Sequence, residues 1–433
     1  MPSTQHGRQY DVVIFGATGY TGKLTAQHVA AHFPTNMKWA VAGRSRAKLQ
    51  SVADKCECLN ADGQRPAIEV CSLDEADLSA LAQKTFVLVT TVGPFGKYGE
   101  GVFRACAHHG THYVDATGEV PWVARMIRRY EETAKQTGAI LVPQCGVESA
   151  VADVLTWVLA AAVRELFDGA PVSDVVVSLH DITGAPSGGT LATLFTLFDV
   201  FTLSELRRSM APYALSPVAP PARGPGAASP LAPPPRSLLR ALTGLLVVPG
   251  LGLQTTAPSA RADAPIVQRT WGLLASEPAL RAARYGPRFA WRMHMRARGR
   301  LHGAAVHLAL AVLALLLASP LRHLARRLVS QPGDGPSDER ARDFGLEVRG
   351  LAAPDVDGAG AGGGRQVACC RARYQGSAYH LTAVLMAEAA RTLLEGDHNL
   401  EHGGVYTPAS LGQGYVDRLD GAGFHLEKGS MTV

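Results

Sequence analysis

Three glycines spaced three apart carry the first chemistry in this chain. Gly16-Ala17-Thr18-Gly19-Tyr20-Thr21-Gly22 follows a short β-branched run, YDVVIF at 10–15, and precedes a helix-like stretch at 23–32. The run reads as a buried strand. A strand, glycine loop and helix in this order put exposed amides at a helix N-terminus, where they take a phosphate. Gly16 lets the chain turn tightly, Gly19 lets the backbone approach a pyrophosphate, and Gly22 lets the helix pack on the strand. The expected ligand is a dinucleotide, with Thr18, Tyr20 and Thr21 completing the loop.

The next strand, expected at 37–42, ends in Gly43-Arg44-Ser45-Arg46. A carboxylate at this place would hold a ribose 2′-hydroxyl. Two guanidinium groups stand there instead. Arg44 can fork or stack against a 2′-phosphate, and Ser45 adds a hydroxyl donor. NADP(H) is therefore expected ahead of NAD(H). Lys48 is read as a solvated helix-face charge.

A hydride carrier implies reduction or oxidation at carbon, and such a reduction also needs a proton donor. Tyr98 follows the turn Gly93-Pro94-Phe95-Gly96 at the end of a strand at 86–92, and Gly93 is assigned to the cofactor site. Asp115 and Glu119 bracket the end of a strand at 112–116, and His180 ends a later one. Each has a plainer role as well. Asp115 can cap the turn that follows it, and Glu119 can cap or face solvent. The catalytic residue stays open among them. No Tyr-x-x-x-Lys pair lies in a suitable helix, and no HExxH, GxSxG or Walker loop is present.

Stepping outward, strands at 67–71, 86–92, 112–116 and 139–143 alternate with helices at 74–83, at 101–109 and from Pro121. Six strands alternating with helices predict an α/β, doubly wound parallel sheet of Rossmann type over 1–147. Residues 148–400 are expected to form a second, α+β domain, with a helix at 150–166, a strand at 172–180 and a helix capped by Ser187. A flexible insertion is expected at 216–236, rich in Pro, Ala and Gly, and a flexible patch at 355–365. Residues 401–433 are expected to pack back on the core.

A length of 433 residues suits two or three domains. The net charge of +5 is mild and speaks against a nucleic-acid partner. Neither the Cys56/Cys58 nor the Cys369/Cys370 pair has zinc-site spacing, so no metal is expected and a reducing compartment is. The polar start runs straight into a strand without a secretory apolar core, which predicts synthesis in the cytosol.

Residues 301–321 contain no charged side chain and could span a bilayer core if helical. Arg296, Arg298 and Arg300 precede this segment; Arg322, His323, Arg326 and Arg327 follow it. A second apolar stretch lies at 238–253. The two are expected to pair on one membrane-contacting face. The alternatives are a buried core helix or an oligomer interface, as in a homodimer.

The strings VIFGATGYTGKL, AGRSRAKL, TTVGPFGKYGE and HYVDATGE resemble the saccharopine dehydrogenase-like oxidoreductases, a group that includes trans-acting enoyl reductases and a lipid-droplet protein. Ser187-Gly188-Gly189-Thr190, Pro212 to Leu215, Ala264 to Val267 with Arg269, Tyr285-Gly286, Pro332 to Ser337 and the stretch from Thr382 to Leu394 with Glu388 continue the resemblance in order. Two places depart from it: Val147-Glu148-Ser149-Ala150, and Tyr374 to Tyr379, which lacks an Asp-Pro. Both flank the expected substrate side. The resemblance implies an NADP(H)-dependent oxidoreductase acting on a hydrophobic, lipid-linked substrate in the manner of an enoyl reductase. Two other readings stay open. One is a saccharopine-type amino-acid oxidoreductase, against which the Arg residues at 292–300 lie beside the apolar segment. The other is a non-enzymatic lipid-droplet or membrane-associated protein that keeps the nucleotide fold as scaffold.

Overall fold

The computed structural model describes residues 6–183, 195–220, 229–232, 237–325, 344–356 and 365–433. The N-terminal strands alternate with helices as their period predicts. β1 (Tyr10–Phe15), β2 (Trp39–Gly43), β3 (Ala67–Val70), β4 (Thr85–Thr90), β5 (His112–Asp115) and β6 (Ile140–Val142) are joined through α1 (Tyr20–His32), α2 (Arg46–Leu59), α3 (Glu75–Lys84), α4 (Phe95–Tyr98), α5 (Glu100–His109) and α6 (Val120–Thr137). The sheet is parallel and has seven strands, not six. β13 (Gly404–Val405), in the C-terminal segment, pairs with β6 and completes the order β13-β6-β5-β4-β1-β2-β3. Side chains of β1 alternate as a pleated strand requires: Val12 and Ile14 enter one core, and Val13 and Phe15 enter the other.

A second sheet has the order β14-β12-β11-β7-β10-β9-β8. Its strands are β7 (Val172–Ile182), β8 (Leu246–Val248), β9 (Gly252–Thr256), β10 (Ala290–Arg296), β11 (Gly345–Pro354), β12 (Gln366–Gln375) and β14 (His425–Thr432). Only β7 and β10 run parallel; the other pairs are antiparallel. So the C-terminal segment gives one strand to each sheet.

The two sheets share a core. α7 (Val147–Leu166) is buried continuously from Ser149 to Ala160 and packs on β7, β11 and β12. A helix that is apolar on all sides belongs in an interior. The helix Ala378–Glu395 follows β12 but packs on α1, β4 and β5, so it covers one face of the first sheet. His28 of α1 meets its Glu388 at 2.8 Å. Wholly buried Asp153 of α7 accepts from Thr270 Oγ1 at 2.6 Å and from the Ala409 amide at 2.9 Å.

The apolar stretches resolve differently from one another. Residues 238–253 are not one element: they form the helix Leu238–Thr243, then β8 and the start of β9. The stretch at 301–321 is largely one helix, Arg300–Ala318, with a mean hydropathy of 2.2 over its most apolar window, of which 11% is buried. A buried core helix is therefore not what this segment forms within the chain. Its inner side meets β9: the Gly303 carbonyl accepts from Thr255 Oγ1 at 2.7 Å, and His307 Nδ1 is 2.8 Å from Thr256 Oγ1. Within 216–236, residues 216–220 and 229–232 are described. Leu231 is buried and its carbonyl accepts from Arg292 Nη2 at 2.8 Å, so this part of the insertion is anchored. Ser187, Arg326, Arg327, Pro332 to Ser337 and most of 355–365 lie outside the described residues.

Arg269, 2% exposed on the helix Ala260–Ser276, ties the halves together. It donates to the Leu215 and Val405 carbonyls at 2.7 and 2.6 Å and pairs with Glu131 of α6 at 2.8 Å. Arg269→Ala leaves a carboxylate and two buried carbonyls without their donor. It is expected to cost about 3 kcal/mol of stability, read as a lowered denaturant midpoint. A midpoint equal to wild type would show that the tie contributes nothing.

Candidate functional site

Strand order reverses between β1 and β4, because the chain moves outward to β2 and β3 on one side and to β5 and β6 on the other. Ligands of such sheets bind in the crevice outside the carboxyl ends at this switch point. The crevice floor is the four turns after β1, β4, β5 and β6, each locked to the next, with the end of β2 beside the first.

The first is the glycine loop. Gly16 has φ +85°, and a Cβ there would fall 2.8 Å from Thr91 Oγ1. A Cβ on Gly22 would fall 2.3 Å from the Gly16 carbonyl oxygen. These two glycines are demanded by the protein's own packing against the end of β4. Gly19 is different. Its φ of −75° suits any residue, and its Cβ would meet only the Gly16 oxygen, at 3.4 Å. Nothing in the chain requires glycine there, so the open space fits a pyrophosphate. The first turn of α1, with Thr21 and Gly22, supplies amides that no helix carbonyl can accept. Thr18 and Tyr20 are half-buried beside it, and Tyr20 meets the ring of Tyr379 edge-on at 5.5 Å.

At the end of β2, Arg44 is exposed and forms no ion pair among the described residues. Ser45 is the N-cap of α2, its oxygen accepting from the Lys48 amide at 3.5 Å. The capping oxygen keeps its own proton to donate. A 2′-phosphate here would meet Arg44, the Ser45 hydroxyl and the N-terminus of α2 together.

The β4 and β5 turns are held by carboxyls. Glu119 accepts from the Phe95 and Gly96 amides at 2.7 and 2.9 Å. Gly96 must be glycine, because a Cβ would stand 2.8 Å from Glu119 Oε2. Asp115 Oδ1 accepts from the Thr117 and Gln144 amides at 2.8 and 2.9 Å, and Oδ2 from the Tyr113 hydroxyl at 2.6 Å. Both side chains are wholly buried. Burial pushes Asp115 up to about 6 and Glu119 up to about 7, against the pull of these donors.

Asp115 therefore caps the turn that follows it. Glu119 faces the interior, not solvent, and caps α4. Gly93 is exposed at the crevice, its amide donating to the Thr91 carbonyl at 3.1 Å. Tyr98 ends α4 with 47% of its surface exposed. His180 sits in the second sheet, Nε2 3.1 Å from Arg296 Nη1, and not at the carboxyl edge of the first.

The fourth turn joins β6 to α7. Two non-glycine residues there have positive φ, Gln144 at +65° and Ser149 at +88°. The Ser149 amide donates to Asp263 Oδ1 at 2.7 Å, so the second half of the chain reaches the crevice here. Among the acids on this edge, Glu148 is exposed and makes no hydrogen bond among the described residues. It was not among the expected proton donors. Its position after a strand of the first sheet was the available signal.

Residues 12–142 match the family model described as the saccharopine dehydrogenase NADP binding domain. Trans-acting enoyl reductases of Mycobacterium bovis and Mycobacterium tuberculosis are each 32% identical over 446 residues, covering 96% of this chain and 97% of theirs. Among solved structures, apo saccharopine dehydrogenase (L-Glu forming) of Saccharomyces cerevisiae aligns with a TM-score of 0.51 at 12% identity. It covers 97% of this chain and 99% of its own. That likeness shows the shared two-sheet architecture.

The NADP assignment makes two predictions. Gly19→Val is expected to keep the wild-type melting temperature and lose NADPH binding by calorimetry; a matching loss of stability would refute the reading of Gly19. Arg44→Ala is expected to weaken NADPH about tenfold or more, the size of a charge-assisted contact, and leave NADH unchanged. Equal weakening of both would remove Arg44 from the 2′-phosphate.

Proposed function

Since the chain belongs to the saccharopine dehydrogenase-like family that holds the trans-acting enoyl reductases, we propose that it reduces the C=C bond of a lipid-linked unsaturated acyl chain with NADPH at a lipid surface. The NADP-binding fold and oxidoreductase class are the premise. The bound dinucleotide supplies a hydride. The chain's own residues hold it through the loop from Gly16 to Gly22 and through Arg44, and exclude water with the buried turns at Phe95 and Thr117.

The observation that carries the lipid part is the exposed apolar helix. Leu301, Leu308, Val312 and Leu315 are 89, 62, 56 and 72% exposed on Arg300–Ala318. Leu238, Leu239 and Leu242, at 78, 72 and 67%, continue the surface on the helix packed beside it. Soluble monomers rarely leave such a contiguous patch bare. Arg300 stands at its rim, where basic side chains meet anionic headgroups.

A saccharopine-type substrate would need free cations for its carboxylates. Arg292 is already bonded to Asp174 at 2.7 Å, Arg296 to His180, and Arg298 lies 3.6 Å from Asp181. Their commitments favour the acyl substrate.

Two measurements test this reading. NADPH oxidation is expected with a long-chain enoyl thioester and not with saccharopine; the reverse would overturn the substrate class. The protein is expected to float with phosphatidylcholine–phosphatidylglycerol vesicles, and Leu308→Glu with Leu315→Glu to weaken this more than tenfold, since burying one leucine is worth about 2 kcal/mol. If the double variant instead turns a dimer into monomers and leaves flotation unchanged, the helix is a homodimer interface.

A further inference from the structure

Three acidic side chains stand on the turns of the carboxyl edge, and two of them are fully engaged. Asp115 and Glu119 have both oxygens on donors and no exposed surface. Glu148 is exposed and has no such partner among the described residues. Protein on its flanks nevertheless raises its carboxyl above the usual range by desolvation. It leans over the β5 turn, since a Cβ on Gly118 would stand 2.9 Å from its Oε2.

Its backbone is held in place at a cost. Glu148 has ψ 126° and Ser149 φ +88°, ψ −65°, inside what would otherwise be the first turn of α7. Such strain persists only where the surroundings over-determine it, and it collects at functional sites. Here Asp263, 2% exposed, accepts from the Ser149 amide at 2.7 Å, and Gln144 Nε2 donates to Ser149 Oγ at 3.2 Å. Gln144 is wholly buried and its Oε1 has no partner. A buried carbonyl without a donor is expensive, and it marks where a ligand N–H or hydroxyl would dock. The turn follows β6, across the switch point from Arg44. With the 2′-phosphate at Arg44, the β4–β5–β6 side takes the nicotinamide half.

We propose that Glu148 delivers the proton that accompanies hydride transfer, with Asp263 and Gln144 as positioning residues that hold its turn. The proposal rests on the reductase reading above. One alkene carbon gains a hydride, with its electron pair, from the reduced dinucleotide, which is left oxidised. The π pair of the former double bond takes the Glu148 carboxyl proton at the neighbouring carbon. The resulting Glu148 carboxylate recovers a proton from solvent, to which it is open. The charged groups that face it are Asp263 and, behind that, Asp153; both carboxyls are raised to about 7 by burial.

Glu148→Gln keeps size and removes the proton. With a long-chain enoyl thioester, kcat is expected to fall roughly a hundredfold to ten-thousandfold, with the NADPH Kd and thermal midpoint unchanged. Glu148→Asp is expected to recover part of the rate. In D2O, wild type is expected to place deuterium on one face of the protonated carbon and Glu148→Gln to scramble it. Retained rate or retained stereochemistry in Glu148→Gln overturns the proposal. Asp263→Asn keeps the acceptor for the Ser149 amide and removes the neighbouring charge, so the alkaline limb of kcat is expected to move to lower pH; an unmoved limb removes Asp263 from the arrangement. A second readout needs no substrate. In the NADPH complex at neutral pH, the infrared difference between wild type and Glu148→Gln is expected to hold the band of one protonated carboxyl, above those of Glu119, Asp153 and Asp263, which both proteins share. If no enoyl thioester is reduced but this difference band is present, the substrate reading fails and Glu148 stands as a proton donor for another acceptor. If the difference holds no such band, the proposal fails whatever the substrate.

Discussion

Two buried carboxyls, Asp115 and Glu119, hold the carboxyl edge of the first sheet in one arrangement. Glu119 reaches from the β5 turn to the amides of the β4 turn, and Asp115 reaches to the amide of the β6 turn. Without them three buried amides and the part-buried amide of Gly96 would lack acceptors, at about 1–3 kcal/mol for each buried one. The turns they lock are the same turns that must stay still under a dinucleotide. Preorganised donors and fixed loops lose little free energy when charge develops above them. The cost is visible in the carboxyls themselves: burial raises both, so their hold draws on the hydrogen bonds and not on a comfortable setting for charge.

The second half of the chain extends this rigidity. The helix Ala378–Glu395 lies on the first sheet although the strand before it belongs to the second, and Gly404–Val405 then adds an edge strand to the first. Tyr379 at the start of that helix touches Tyr20 of the glycine loop, and Asp263 takes the Ser149 amide. The crevice therefore has walls from both halves, anchored to one hydrophobic core. A hinge between two independent domains does not suit this packing, because α7 packs at once on the second sheet and on the helix Ala378–Glu395 that covers the first.

Much of this was legible in the residues. The order strand, glycine loop, helix fixed where β1 and α1 lie, because period-2 and glycine signals there agree. Arg44 at the end of β2 was legible for the same reason: only strand position gives that residue meaning. What failed was long-range. Nothing local in Gly404–Val405 marks a seventh strand, since two residues carry no period. Glu119 reads equally as a cap or as solvent-facing when only its neighbours are considered, and the partners that decide for the cap, at Phe95 and Gly96, are more than twenty residues away. The strained turn at Ser149 was visible only as an odd tetrapeptide, Val147-Glu148-Ser149-Ala150. Its geometry depends on Asp263, which lies 114 positions further along.

Two helices of this chain show why hydropathy alone could not place the apolar segment. α7 and Arg300–Ala318 have nearly equal lengths, 20 and 19 residues, and both are rich in Leu, Val and Ala. α7 is buried and turns its polar groups to partners: Asp153 to Thr270, and Thr156 to the Trp291 ring nitrogen. Arg300–Ala318 does the opposite. Its inward side carries Gly303 and His307, which meet Thr255 and Thr256, while Leu301, Leu308 and Leu315 point away from the chain. A surface helix in water sets its apolar stripe inward and its polar residues outward. Here the outward side is apolar as well, while the inward side also buries Leu317, so the helix is apolar nearly all round and its sequence carries no stripe that tells which side faces the chain. That exposed apolar side, more than the length of the segment, is the physical ground for proposing a lipid surface as its partner.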